Sequence, residues 1–258
     1  MKRRAAALAL AVLAATSASL ATAATVQQGD LRITVQAQLK PYKLPREEPA
    51  PIAVFIAGAL KSASGQRPPQ LQSMRVLVNR HGLLQSKGLA TCSLGQLAGS
   101  SSSRALSSCG DALVGSGQFW AHIVLPDQGA YPTRGRLLVF NGRHKGKPAL
   151  FTHIFTSNPF NSAFTIPFSI EKVNRGRYGT ELSASFPEAL GSWGYVDRIK
   201  LTLRKKYRHR GTQLSYFNAA CPAPKGTKRT AYSLARATLS LDTAQITADV
   251  IKACGVAE

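Results

Sequence analysis

Acidic residues are what this chain has least of. Asp and Glu number 12 in 258 residues, against 33 Lys and Arg. Carboxylates this few and scattered argue against chemistry that needs two acids side by side, as glycosidases do. The familiar nucleotide and nucleophile motifs are missing: there is no P-loop, no GxGxxG after a strand, no GxSxG and no HExxH. No CxxC and no Cys–His metal spacing occurs, so neither a metal nor a cofactor is expected. Tryptophan occurs only twice, which argues against a broad aromatic platform. The C-terminal residues show no apolar segment or sorting tail, so a free or peripherally attached product is expected.

What is present begins at the N-terminus. Met1-Lys2-Arg3-Arg4 precede an apolar run through Leu13 and Ala14, and then small residues through Ala24. A positive start, a short apolar stretch and a small-residue end make an export signal over 1–24, cleaved near Ala21-Thr22-Ala23 or one residue later. The apolar run is too short to span a bilayer. Residues 25–258 are then expected to form a single β-sandwich domain. The Ser/Gly-rich stretch 94–117 is where two lobes would divide, if the chain has two. Taking Lys2, Arg3 and Arg4 from the 33 basic residues leaves 30 against 12 acids, a net charge of about +18. Such an excess favours anionic partners: cell-wall phosphates, acidic glycans, nucleic acid or an acidic membrane surface. The alternative source is a lineage rich in Arg and Ala codons.

An exported address also decides how the four cysteines read. Cys92, Cys109, Cys221 and Cys254 are expected in disulfides. Three connectivities are open, of which the local pairing, Cys92–Cys109 and Cys221–Cys254, is the simplest.

Period-two alternation dominates the rest. Leu31, Ile33, Val35, Ala37 and Leu39 alternate with Arg32, Thr34, Gln36, Gln38 and Lys40. Phe119, Ala121, Ile123 and Leu125 repeat the pattern, as do Phe164 to Ile170, Tyr178 to Phe186, and Ile199, Leu201 and Leu203. Ala231–Leu241 and Ala244–Ala253 read as two late strands. Turn residues at Pro126-Asp127-Gln128-Gly129, Asn141-Gly142, Asn174-Arg175-Gly176 and Lys225-Gly226 separate the strands. A long turn from Pro41 to Pro51 is expected after the first. Helix signals are thin; Ser101–Cys109 is the candidate, after a serine cap. The expected fold is all-β, an antiparallel β-sandwich with long loops and at most one or two short helices, and monomeric.

The strongest charge feature is the run Arg198, Lys200, Arg204, Lys206, Arg208 and Arg210, with Tyr207 beside it. Alternation sets the first four on one strand face, suited to phosphates or sulfates and sensitive to salt. The alternative is an edge strand whose cations prevent edge-to-edge association. Glu171 and Glu181 fall on the polar parity of adjacent strands, opposite one another across a short loop. They are either a carboxylate pair or a solvated pair neutralised by Lys172, Arg175 and Arg177. His122 and His153 would have to converge from separate strands to act together. Ser169 and Lys172 match SxxK, but a strand points them to opposite faces. Trp120, Trp193, Tyr195 and Tyr207 are candidates for a sugar platform, with core and rim packing as the alternative.

Several blocks resemble a loose set of exported β-rich proteins from high-GC bacteria. They are Arg208 through Gly211, Tyr216 through Lys225, Ser233 through Thr238, the final Cys254, and Ala112 through Gly117 after Cys109. That set carries no known activity, so the resemblance implies export and shared architecture and transfers no site residues. The expected function is a non-catalytic module for an anionic envelope or extracellular partner. The competing expectations are a secreted hydrolase acting on carbohydrate and a structural domain with no dedicated ligand.

Overall fold

The structure, a computed structural model, describes residues 23–124, 127–186 and 194–257. The expected signal segment, Leu125, Pro126 and Trp193 lie outside the described residues, apart from the last residues before the predicted cleavage boundary. Among the described residues the strands, in chain order, are β1 Ala24–Gln28, β2 Leu31–Lys40, β3 Lys43–Leu44, β4 Ala50–Pro51, β5 Ala53–Ser62, β6 Leu71–Asn79, β7 Gly82–Leu84, β8 Leu113–Ile123, β9 Tyr131–His144, β10 Lys147–Thr156, β11 Ser162–Arg175, β12 Tyr178–Ser185, β13 Gly194–Leu203, β14 Lys206–His209, β15 Thr212–Ser215, β16 Phe217–Ala219, β17 Arg229–Leu241 and β18 Gln245–Val256. Two short helices, α1 Leu94–Leu97 and α2 Ser102–Cys109, lie between β7 and β8. The fold is all-β, and no helix among the described residues is long and apolar enough to cross a membrane.

Thirteen strands form one sheet in the order β1-β2-β5-β13-β8-β9-β10-β11-β12-β6-β17-β18-β3. Its pairs are antiparallel except β18 with the two-residue β3. The sheet curls until β1 and β2 lie against β18. Leu31 and Ile33 meet Leu239, Leu241 and Ile246 there, so packing closes the curl. The layers of the sandwich are therefore parts of a single curled sheet.

The alternation explains which residues face in. Phe119, Ala121, Leu137, Val139 and Ile154 fill the interior, with Ile199, Leu201 and Phe164 packed against them. One end is plugged by the small sheet β4-β16-β7, where Tyr216 and Phe217 are buried. Burial pushes the Tyr216 hydroxyl well above the ordinary tyrosine value. The Cys221–Cys254 disulfide ties this plug to β18. Arg46 fastens the turn beyond it, donating to the carbonyls of Ala223, Pro224 and Thr227 at 2.7 Å each. At the other end lies an apolar recess of about 170 Å³ lined by Phe119, Ile154, Phe164 and Phe186 among others.

β9 departs from alternation because both of its faces are covered, and Asn141-Gly142, expected as a turn, lie buried within it and pair with β10. Residues 137–142 are all buried. Leu137 and Val139 point inward, whereas Leu138 and Phe140 point outward under the helices. There they meet Leu97, Ala105, Cys109 and Ala112, together with Ala149 and Phe151 of β10. Ser93 and Gln96 form a capping box on α1, and Ser101 caps α2 by accepting from the Arg104 amide. The Cys92–Cys109 disulfide clamps this pair of helices, so both bridges follow the local pairing. Pro41–Pro51 is more than a turn: it contributes β3 and β4, each to a different sheet.

Candidate functional site

The outer face of β2, β5, β13, β8 and β9 is where the basic residues gather. A register shift between Val196 and Arg198 inserts one residue into β13 opposite β8. Tyr195 pairs with His122 before the bulge, and Arg198 pairs with Trp120 after it. The extra residue resets the parity, so Arg198 and Lys200 point out while Ile199 and Leu201 pack on the core. β9 continues the face: Trp120 pairs with Arg134 and Gln118 with Arg136.

The result is two transverse rows, Arg198–Trp120–Arg134 and Lys200–Gln118–Arg136. Cations two residues apart on one strand are separated by roughly 7 Å, and those two strands apart by roughly 10 Å. The four cations are exposed. The Arg198 guanidinium sits 4.9 Å from the Trp120 ring centroid and Lys200 Nζ 5.8 Å from it. Contact with the ring holds both charges over the face without neutralising them. Among the described residues no carboxylate pairs with Arg134, Arg136, Arg198 or Lys200.

The opposite flank differs. Glu171 faces Glu181 across β11 and β12, as loop counting predicts. Lys147 Nζ lies 2.6 Å from Glu171 and holds its carboxyl below the usual range. Glu181 sits between Arg75 at 3.1 Å and Arg175 at 2.9 Å. Of the expected neutralising cations, Arg175 takes that role, joined by Arg75 and Lys147 from strands distant in sequence. Arg236 and Asp249 pair at 2.8 Å, which lowers the aspartate and raises the arginine. Both glutamates are thus held in ion pairs, an arrangement that suits structure better than acid–base chemistry.

The basic run does not continue as one ladder. β13 ends at Leu203, and Arg204 lies just past it, its amide bonded to the Val114 carbonyl. Lys206, Arg208 and Arg210 belong to a separate hairpin, β14–β15, turned at Arg210-Gly211 with both residues at positive φ. The hairpin faces the 85–88 segment, where Tyr207 donates to the carbonyls of Gln85 at 2.9 Å and Lys87 at 3.1 Å. The six predicted cations are therefore split, with Arg198 and Lys200 on the large sheet, Lys206, Arg208 and Arg210 on the hairpin, and Arg204 in the link between them.

The other candidates disperse as well. Tyr207 is spent on that contact, Tyr195 stacks on His122 at 4.9 Å, and Trp120 alone joins the basic face. His122 and His153 lie six residues apart along the ladders and do not converge. His153 is fully buried on β10, its Nδ1 3.0 Å from Thr165 Oγ1. Ser169 and Lys172 sit at opposite parities of β11. No family model, curated protein or solved structure matches this chain. Function therefore rests on geometry. Arg134 and Arg136 escape a reading along the chain; their signal is two arginines spaced by one glycine on the polar parity of a strand.

Next to the quartet, a groove of about 430 Å³ crosses β2, β5, β13 and β8. Gln36, Gln38, Phe55, Ser116, Gln118 and Thr202 line it together with Lys200. Ala57 keeps its floor low, and Lys40 Nζ stands 5.3 Å from the Phe55 ring centroid.

Proposed function

We propose that the protein is a non-catalytic binding module that holds an anionic polymer on the outer face of β13, β8 and β9. The observation that carries this is the quartet Arg134, Arg136, Arg198 and Lys200, exposed around Trp120 and paired with no carboxylate among the described residues. Like charges this close repel one another, and a bound polyanion relieves that repulsion while releasing its own counterions. The concentration of acids in ion pairs on the other flank favours binding over hydrolysis. Two disulfides fit an extracytoplasmic protein, where envelope and extracellular polyanions are the available partners.

The test is retention on a sulfated resin over a salt gradient. Arg198→Ala with Lys200→Ala is expected to elute at distinctly lower salt than the parent. Lys206→Ala with Arg208→Ala, on the separate hairpin, is expected to elute close to the parent. If the hairpin pair alone shifts elution, or neither pair does, the assignment to this face is wrong.

A further inference from the structure

We infer that the polymer is an anionic polysaccharide, a chain of uronic-acid or sulfated sugars lying in the groove across β2, β5, β13 and β8. This rests on the anion-binding reading and specifies the partner's chemistry. The groove adjoins the cations but is lined mainly by uncharged groups. Gln36, Gln38 and Gln118 supply carboxamides, and Ser116 and Thr202 supply hydroxyls. Each carboxamide offers two donors and an acceptor, and each hydroxyl both donates and accepts. A polyphosphate or sulfate chain without hydroxyls offers acceptors only and leaves the amide carbonyls unused. A sugar's hydroxyls use both halves of every amide.

The glutamines are also free to act. Among the described residues Gln36, Gln38 and Gln118 make no side-chain hydrogen bond to protein, whereas Gln27, Gln72 and Gln96 are tied to neighbours. One transverse row reads Gln36, Ala57, Lys200, Gln118, Arg136, so amides and cations alternate beyond a low floor. The groove is an open surface channel, which suits a chain that continues past both ends more than an enclosed small ligand. Nucleic acid fits less well, because the Trp120 ring, which would stack a base, is already engaged by Arg198.

The experiment measures the affinity of the full chain for five probes at one ionic strength: polygalacturonate, dextran sulfate, linear polyphosphate, single-stranded DNA and neutral dextran. The parent is compared with Gln36→Ala/Gln118→Ala and with Arg198→Ala/Lys200→Ala. All four positions are at the surface or at its edge, and a thermal melt confirms each variant is folded. The glutamine variant is expected to bind polygalacturonate or dextran sulfate about tenfold more weakly, the loss of two hydrogen bonds, while polyphosphate binding stays unchanged. The cation variant is expected to weaken every polyanion. Which of the two acidic glycans responds identifies carboxylate or sulfate as the charged group. Equal sensitivity of polyphosphate or DNA to the glutamine variant, or no effect of that variant on either glycan, overturns the polysaccharide inference and leaves the anion-binding face standing. Binding of no polyanion even at low salt overturns both.

Discussion

Breaking the Cys92–Cys109 bridge is the sharpest probe of how this sheet keeps its outer layer. The bridge spans 17 residues. Loop-entropy arguments assign such a closure about 3 kcal/mol, and somewhat under 4 kcal/mol to the longer Cys221–Cys254 loop. The two values are close, but the consequences differ. Helices of four and eight residues have no stability of their own in water. What holds them is the packing of Leu97 and Ala105 on Phe140 and Phe151, and the bridge itself. The Cys92 end is anchored, since its amide donates to the Asn141 carbonyl at 2.9 Å. Gly142 permits that approach, because a Cβ there would fall on the Phe151 ring and the Cys92 carbonyl oxygen. Cys92→Ala with Cys109→Ala is therefore expected to lower the melting temperature by about 6–12 °C, at about 2–4 °C per kcal/mol for a chain of this size. Amides of β9 and β10 are expected to exchange faster, and an apolar dye to bind where Leu138 and Phe140 become uncovered. A loss below about 1 kcal/mol in reversible unfolding, with exchange unchanged, would show that the helical cap holds itself and refute the clamp.

Two further outcomes follow from buried and crowded positions. Burial pushes the His153 imidazole below its ordinary value, partly opposed by the Ser100 backbone. The unfolded chain protonates near 6.5 and the folded chain resists, so stability is flat above that pH and falls as pH drops from there toward the lowered folded value. Urea unfolding across this window is expected to show the slope in the parent and a smaller one in His153→Gln; identical slopes would exclude His153 as the source. At Gly117, an added Cβ would land on the Lys200 carbonyl oxygen of the paired strand. Gly117→Ala is expected to cost about 1–3 kcal/mol in equilibrium unfolding, and parent-like stability would mean the strands part without strain.

The strands were legible where one face meets the core and the other meets water. Leu31 to Leu39, Phe164 to Ile170 and Ile199 to Leu203 show this, and their inward residues are the alternating ones. The helix at Ser101–Cys109 was legible from its serine cap and its cysteine. β9 was not, because burial on both faces erases the period over 137–142. The single curled sheet was hidden too, since β13 pairs with β5 and β6 with β17, strands far apart in the chain. At the site, Arg198 and Lys200 were visible as a strand face. That the run breaks after Leu203 depends on a hairpin whose turn, Arg210-Gly211, looks like continuing basic charge. Arg134 and Arg136 join only through the β8–β9 register, which charge counting along the chain does not contain.

The seam where β1 and β2 meet β18 makes the sheet a collar with a clasp rather than a hoop. Its backbone ladder runs the long way round, from β1 to β18, and the short way is bridged by Leu31, Ile33, Leu239, Leu241 and Ile246. A clasp of apolar side chains has the temperature dependence of apolar hydration, so it loosens on cooling while the hydrogen-bonded ladder does not follow. The collar thus has a defined place to yield along β1, β2 and β18, and β2 turns one face to that seam and the other, with Gln36 and Gln38, to the groove.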